Sequence, residues 1–282
     1  MLNKTEKTYL QILSDIANNG IKEPTRTGID AFVIPHQVIS HDCSDGSIPL
    51  MTHKQMPWKA IRAEIFCFIA GIRSKRTFQE MGCNYWNSWC NPSLVKHIAD
   101  YNERMAAALA EDDLGPIYNW NRWNQFNAIE EALSKKGAVP SRRMVVSTWQ
   151  PDTESEQALP PCITQWDVTL TGDGSLHLSY HQRSADFLLG VPADLAGYGL
   201  LLHLLAHTFG YKPGRLTAFM ANSHVYENHL PMAEEATYRR TVSAAPKLSF
   251  SRTYSSCREW HPDDCVLHGY TPQAPIKAPI AV

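Results

Sequence analysis

No two cysteines of this 282-residue chain form a CxxC pair, and the seven present (Cys43, Cys67, Cys83, Cys90, Cys162, Cys257, Cys265) are an odd, irregularly spaced set. That excludes a disulfide framework and a zinc ribbon as organising elements. An apolar run long enough to span a bilayer is also missing. The longest, Leu195 to Ala206, is broken by Gly197, Gly199 and His203 and reads as a buried core helix. Excess positive charge is absent: 26 Lys and Arg against 28 Asp and Glu give a formal net charge of -2. Neither stable nucleic-acid binding nor membrane attachment is therefore expected, and any phosphate site must be local. Repeats and low-complexity segments are lacking. The polar opening from Met1 to Lys7 carries no visible signal peptide, so a reducing cytoplasm is the default location.

What is present is ordinary globular composition, 44% hydrophobic and 19% charged, over a length that can bury a sizeable core. Leu10 to Ala17 has helical spacing ended by Asn18-Asn19-Gly20, and Pro57 to Gly71 reads as a helix with proline in its first turn and a terminal glycine. Ala31 to Ile39, Met144 to Thr148, Ile163 to Leu170 and Ser175 to His181 read as strands, with Gly172-Asp173-Gly174 turning between the last two. Asp194 to Phe209 is the central helix, stopped by Gly210, and Pro151 to Leu159 is a polar loop. Strands and helices mix without a βαβ rhythm, which predicts an α+β fold, a mixed sheet covered by helices, as a single domain over residues 1–282. No local signal explains how the proline-rich end from Tyr270 would be ordered.

Several residues carry chemistry. Cys162 follows Pro160-Pro161; a thiolate adds readily to electron-poor carbon and needs a depressed pKa, which nearby arginines can supply. Taken alone it would be a small buried hydrophobe. Arg183 and Arg142-Arg143 adjoin strands and suit bidentate phosphate recognition, although singly each reads as a surface charge. Asp194, two residues after Pro192, reads alone as the helix N-cap. His224, His229, His261 and Cys265 fit no compact zinc spacing, and no metal is expected.

Read in order, the segments resemble the thymidylate synthase family over most of the chain. Arg26-Thr27-Gly28 resembles its phosphate loop, Lys54 and Glu64 its lysine and catalytic glutamate, and Trp86 and Trp89 its tryptophans beside the folate pocket. Asp113 to Tyr118 resembles DLGPxY, Ser141-Arg142-Arg143 resembles SRR, and Pro161-Cys162 is similar to the nucleophile motif. Gln182-Arg183-Ser184 with Asp186 resembles QRSxD; His224 and Tyr226 match the pair that binds the deoxyribose 3′-hydroxyl; Ile276 to Val282 resembles the closing tail. The resemblance implies that Cys162 adds to pyrimidine C6 and that C5 then attacks the methylene of 5,10-methylenetetrahydrofolate. It assigns proton handling near N3 and the 4-position to Glu64, C5 proton removal to Tyr118, and the pterin to Asp186, with the folate site also drawing on Lys54, Trp86, Trp89 and the tail through Val282. The 5′-phosphate falls to Arg26, Arg183 and a partner's Arg142 and Arg143, with Gln182 and Ser184 beside the substrate, which implies a homodimer with shared sites.

Asp194 departs from the pattern, for the family carries asparagine there to read uracil. Cytosine presents N3 as acceptor and N4–H₂ as donor, which a protonated carboxyl, or a carboxylate facing N3-protonated cytosine, answers. A mispaired buried polar group costs roughly 1–3 kcal/mol, enough to reverse a base preference. Ile163, where histidine is common near O4, points the same way; Asn222 in place of aspartate and Ala193 in place of a larger apolar residue have no account at this level. The expectation is one-carbon transfer to C5 of dCMP, methyl transfer ahead of hydroxymethyl transfer, with dUMP as the rival substrate. Such an enzyme suits a phage-encoded setting, acting in the host cytoplasm, or an antibiotic pathway.

Overall fold

The computed structural model describes residues 3–137, 140–239 and 243–280. Helix α1 (Lys4–Asn19) starts at the Asn3 cap, whose side chain accepts from the Glu6 amide, and buries Tyr9, Leu13 and Ile16 on one face. Strands β1 (Ile21–Glu23), β2 (Ala31–Val33) and β3 (Gln37–Asp42) follow, then helices α2 (Trp58–Ala70), α3 (Lys75–Met81), α4 (Pro92–Val95), α5 (Tyr101–Ala110) and α6 (Gln125–Ser134). Next come β4 (Val145–Ser147), β5 (Ile163–Leu170), β6 (Ser175–Asp186), α7 (Gly190–Phe209), β7 (Lys212–Tyr226), α8 (Leu230–Tyr238) and the hairpin of β8 (Lys247–Phe250) with β9 (Cys265–His268). The result is α+β: a seven-stranded mixed sheet in the order β1-β2-β7-β6-β5-β4, with β3 also on β7, packed against helices.

The single strand expected over 31–39 is in fact two. Pro35 has no N–H to give, His36 takes a left-handed φ of 60°, and the chain re-engages β7 through Ile34 N to Ser223 O and His36 N to Ala221 O. The tight turn after β5 forms as read, with Gly174 N donating to Thr171 O. The expected loop 151–159 contains a 3₁₀ turn over Pro151–Glu156.

One pairing positions the site. β6 and β7 are parallel, joined by α7 as crossover, and their register sets Ser184 opposite Asn222 and Asp186 opposite His224. α7 is buried along nearly its whole length. It meets α2 where a Cβ on Gly197 would come 3.2 Å from Ile65, so the absent side chain is what lets the two helices close. That contact carries Glu64, on α2, towards the start of α7. Among the described residues, no helix is long and apolar enough to cross a membrane.

Candidate active site

Helix α7 begins at Gly190, four residues before the expected start, and no side chain caps it. Asp194 is thus inside the helix, not its N-cap; its Oδ2 accepts from Gln182 Nε2 at 2.8 Å. That correction turns a helix-end carboxyl into one that faces a cavity of about 1440 Å³, larger than one drug-sized ligand needs.

The cavity brings together most of the residues singled out in the sequence. Cys162, Glu64, Tyr118, Gln182 and Asp194 line it, as do Arg26, Arg183, Ser184, His224 and Tyr226. Lys54, Trp86, Trp89 and Asp186 complete the set, and the tail residues Ile276, Ala278 and Ile280 line the cavity as well. Arg142 and Arg143 are exposed and are not among its lining residues. Val282 lies outside the described residues. Ile163 is buried in the core and is not among the cavity's lining residues.

The nucleophile loop is fixed from both sides. Cys162 N donates to Tyr118 Oη at 2.8 Å, and its carbonyl accepts from Arg183 N at 2.8 Å. Arg183 also donates from Nε to Pro161 O and from Nη2 to Pro160 O, while its guanidinium lies 5.1 Å from the Trp149 ring centroid. Tyr118 takes an unusual φ of 39° after the tight bend at Gly115, where a Cβ would fall 1.9 Å from Glu156 O. Its ring stacks on Phe68 at 4.6 Å. Phe68 follows Glu64 by one helical turn, so α2 presents carboxyl and ring on one face.

The electrostatics centre on two carboxyls. Burial, then the neighbouring Asp194, pushes Glu64 up to about 8, against the hydrogen bond it accepts from Trp86 Nε1 at 2.9 Å. Burial likewise raises Asp194 to about 7, opposed by the Gln182 bond and assisted by Asp186. Groups poised near neutrality inside a cavity suit proton transfer. Cys162 departs from expectation: burial and then Asp194 push its thiol up to about 11, outweighing Arg183 and Arg26, which pull it down. A proton on Asp194 removes the second of those obstacles, so the charge state of this carboxyl bears on the nucleophile as well as on whatever the cavity holds.

Lys54 is buried, donates to Leu188 O at 2.5 Å, and is pushed down to about 8 by burial. Its strap is anchored by Glu6, which accepts from the Thr52 and His53 amides. Asp186 Oδ1 accepts from the Leu188 and Leu189 amides. Asn222, unaccounted for in the sequence, has a place: its Oδ1 accepts from His224 Nδ1 at 2.8 Å, which fixes the tautomer and leaves Nε2 as an acceptor.

Tyr85 was missed altogether. Half-buried, it lines the cavity next to Trp86, with Glu64 and Asp194 close enough, after burial itself, to raise its hydroxyl further. An aromatic residue before a tryptophan reads as core, so no sequence signal marked it. The end of the chain is tied down by long-range bonds equally invisible in sequence: Tyr270 Oη to Met51 O at 3.1 Å and Gln273 N to Thr52 O at 2.9 Å. Among the described residues, no group of three or more His, Cys, Asp or Glu is placed to hold a metal ion.

Comparison with known proteins agrees with this geometry. The family model described as thymidylate synthase matches residues 7–282. The chain is 31% identical, over 301 aligned positions, to a thymidylate synthase of Zymomonas mobilis subsp. mobilis, covering 99% of this chain and all of that protein. A thiol, two neutral-range carboxyls and an arginine-lined cavity on a mixed sheet thus sit in a sequence matched almost end to end: the chain belongs to the thymidylate synthase family, transferases of nucleotide biosynthesis that use 5,10-methylenetetrahydrofolate as co-substrate for one-carbon transfer to C5 of a pyrimidine nucleotide.

Proposed function

We propose that this enzyme acts on dCMP and yields 5-methyl-dCMP. The observation that carries the reading is Asp194: a cavity-facing carboxyl, held by Gln182 and raised by burial to about 7, available in its protonated form near neutrality. A protonated Asp194 donates to N3 of cytosine while its other oxygen accepts from N4–H₂; a carboxylate facing N3-protonated cytosine uses the same shared proton. Against uracil the ionised carboxylate opposes O4, and only the neutral acid, accepting from N3–H and donating to O4, matches that edge. The relative's name, thymidylate synthase, fits the rival substrate dUMP, and Asp194 is what weighs against it.

In this reading Cys162 adds as thiolate to C6, making C5 nucleophilic, and Glu64 moves the proton at the base's 4-position and N3. The folate supplies the methylene carbon and then a hydride, leaving as dihydrofolate. Tyr118 assists departure of the C5 proton, and loss of the Cys162 thiolate from C6 restores the ring. The aromatic and apolar wall of Trp86, Trp89, Leu159 and Ile276 suits a flat pterin and aminobenzoyl group, with Asp186 and Lys54 as the polar contacts. Arg26 and Arg183 bind the 5′-phosphate, and His224 Nε2 accepts from the 3′-hydroxyl.

A homodimer with shared sites accounts for Arg142 and Arg143, which the protomer holds away from its own cavity. The open sheet face supports it: Val38, Phe219 and His181 stand in register across β3, β7 and β6, with Val38 50% and Phe219 39% exposed. Val38 and Phe219 are exposed apolar side chains on a sheet face, of the kind isologous dimers cover.

Hydroxymethyl transfer is the second reading, and Tyr85 favours it. A hydroxyl lining the same cavity as both carboxyls can hold a water there. Incubation of the enzyme with dCMP and 5,10-methylenetetrahydrofolate separates the two: a methylated nucleotide with the absorbance rise of dihydrofolate supports the proposal, whereas a product heavier by a further oxygen without that rise replaces it.

A further inference from the structure

The end of the chain is secured in two separate ways. Tyr270, Gln273 and Ala274 are fastened to residues 51–56 and to Arg239, through Tyr270 Oη to Met51 O, Met56 N to Tyr270 Oη, Gln273 N to Thr52 O and Arg239 Nη1 to Ala274 O. These bonds leave the segment that lines the cavity, from Pro275 to Ile280, untouched. Among the described residues one hydrogen bond reaches that segment: His229 Nε2 to Pro279 O at 2.6 Å. A carbonyl can only accept, so Nε2 carries the hydrogen.

His229 is fully buried, at the end of the turn Glu227–His229 that links β7 to α8. Its Nδ1 is buried without a partner among the described residues, so the ring is held there for the one bond it makes and for its packing. That packing is directional. The His229 ring meets Tyr226 edge-on at 5.5 Å and 81°, and Tyr226 meets His224 edge-on at 5.1 Å and 81°. His224 is in turn oriented by Asn222. A continuous chain of packed rings thus runs from the cavity wall to the tail.

We propose that His229 is a positioning residue that latches residues 275–280 over the cavity, and that through Tyr226 it makes this closure depend on the bound sugar. The latch follows from the His229–Pro279 bond alone. The dependence on sugar rests on the reading of His224 and Tyr226 as the 3′-hydroxyl site, and neither half depends on which base is recognised. A nucleotide that fixes Tyr226 removes freedom from the His229 ring, and a fixed ring offers its N–H to Pro279 at lower entropic cost. The folate face then closes after the nucleotide is seated.

The test compares His229→Gln, which keeps a donor at similar reach, with His229→Leu, which removes it. Release of C-terminal residues by a carboxypeptidase, followed by mass, reports the latch without requiring turnover, and is run with dCMP and with dUMP separately. Losing a buried hydrogen bond predicts release about tenfold faster in His229→Leu, loss of the protection that nucleotide confers, and a folate KM raised about tenfold, with His229→Gln between it and the parent. The same substitutions in a chain ending at Ala278, which lacks Pro279, are predicted to have no further effect on folate KM; this arm needs only His229→Gln, should the leucine variant fail to fold. Release rates and folate KM within about twofold of the parent overturn the latch, as does an undiminished His229 effect in the shortened chain. A latch intact in the presence of either nucleotide, with dCMP untouched as substrate, would sink the dCMP proposal and leave this one standing.

Discussion

Replacing Asp194 by asparagine should move the enzyme from dCMP towards dUMP, with a swing that the site geometry lets one size. Gln182 already occupies Oδ2, and burial holds the carboxyl near about 7. A matched edge against a mismatched one is worth a few kcal/mol, so the ratio of kcat/KM for the two nucleotides should shift on the order of a hundredfold. The proton adds a second signature. Recognition of cytosine needs one proton shared between Asp194 and N3, and supplying it becomes costlier by about 1.4 kcal/mol for each pH unit above the carboxyl's range. The kcat/KM of the parent for dCMP, divided by that of Asp194→Asn, should therefore fall about tenfold per unit on the alkaline side. Taking the ratio cancels Glu64 and Cys162, whose titrations act in both proteins. Stability gives an independent check. A carboxyl raised in the folded state stabilises below its ordinary range and loses that contribution as pH rises through about 7. The full difference corresponds to about 4 kcal/mol as an upper bound, of which a cavity-facing, half-buried group realises a fraction. Asp194→Asn should thus gain stability to urea near about pH 8 and little near about pH 4. An unchanged base ratio with the same pH slope in the variant would refute the assignment, since the base would then be read elsewhere.

Cys162→Ala should abolish turnover while nucleotide Kd, by calorimetry, stays within a few-fold of the parent; residual turnover within about tenfold would displace the nucleophile assignment. Mixing Arg143→Ala chains with Cys162→Ala chains should restore activity in about a quarter of the sites after subunit exchange, because half the dimers are hybrids with one intact site. No recovery from the mixture, with each parent inactive, would place Arg143 outside the partner's site. The buried His41, between Thr5 Oγ1 and Ser47 Oγ, is pushed down to about 4 by burial and the nearby His203, against Asp45 and Asp42. It is neutral in the fold and charges on unfolding, so stability is present above about 6.5 and falls by about 3 kcal/mol towards pH 4. His41→Gln should flatten that acid loss in urea titrations, and an equally steep loss would assign it to other groups.

The linear motifs were legible because their chemistry depends on residues adjacent in sequence. Pro160, Cys162, Gln182, Arg183 and Ser184, singled out by these motifs, line one cavity, and β5 runs over Ile163–Leu170 as its alternation predicted. What was not legible depends on contacts between distant segments. The start of α7 carries no capping side chain, so its first turn, including Pro192, could not be distinguished from loop, and Asp194 taken alone looked like a cap. The break at Pro35 looked like one strand because both halves pair with the same β7. The thiol of Cys162 was expected to be lowered by arginines; burial and a carboxyl twelve residues beyond Gln182 reverse that balance. Tyr85, Asn222 and His229 owe their positions to the sheet register and the closing tail, neither of which a single sequence displays.

The account stands on which base this cavity accepts. The most direct measurement supplies equal concentrations of dCMP and dUMP with 5,10-methylenetetrahydrofolate and follows both products by mass in the same tube. Conversion of dCMP to 5-methyl-dCMP with dUMP largely untouched is the result Asp194 predicts. Preferential conversion of dUMP to its methylated product would contradict it and make this chain an ordinary member of its family.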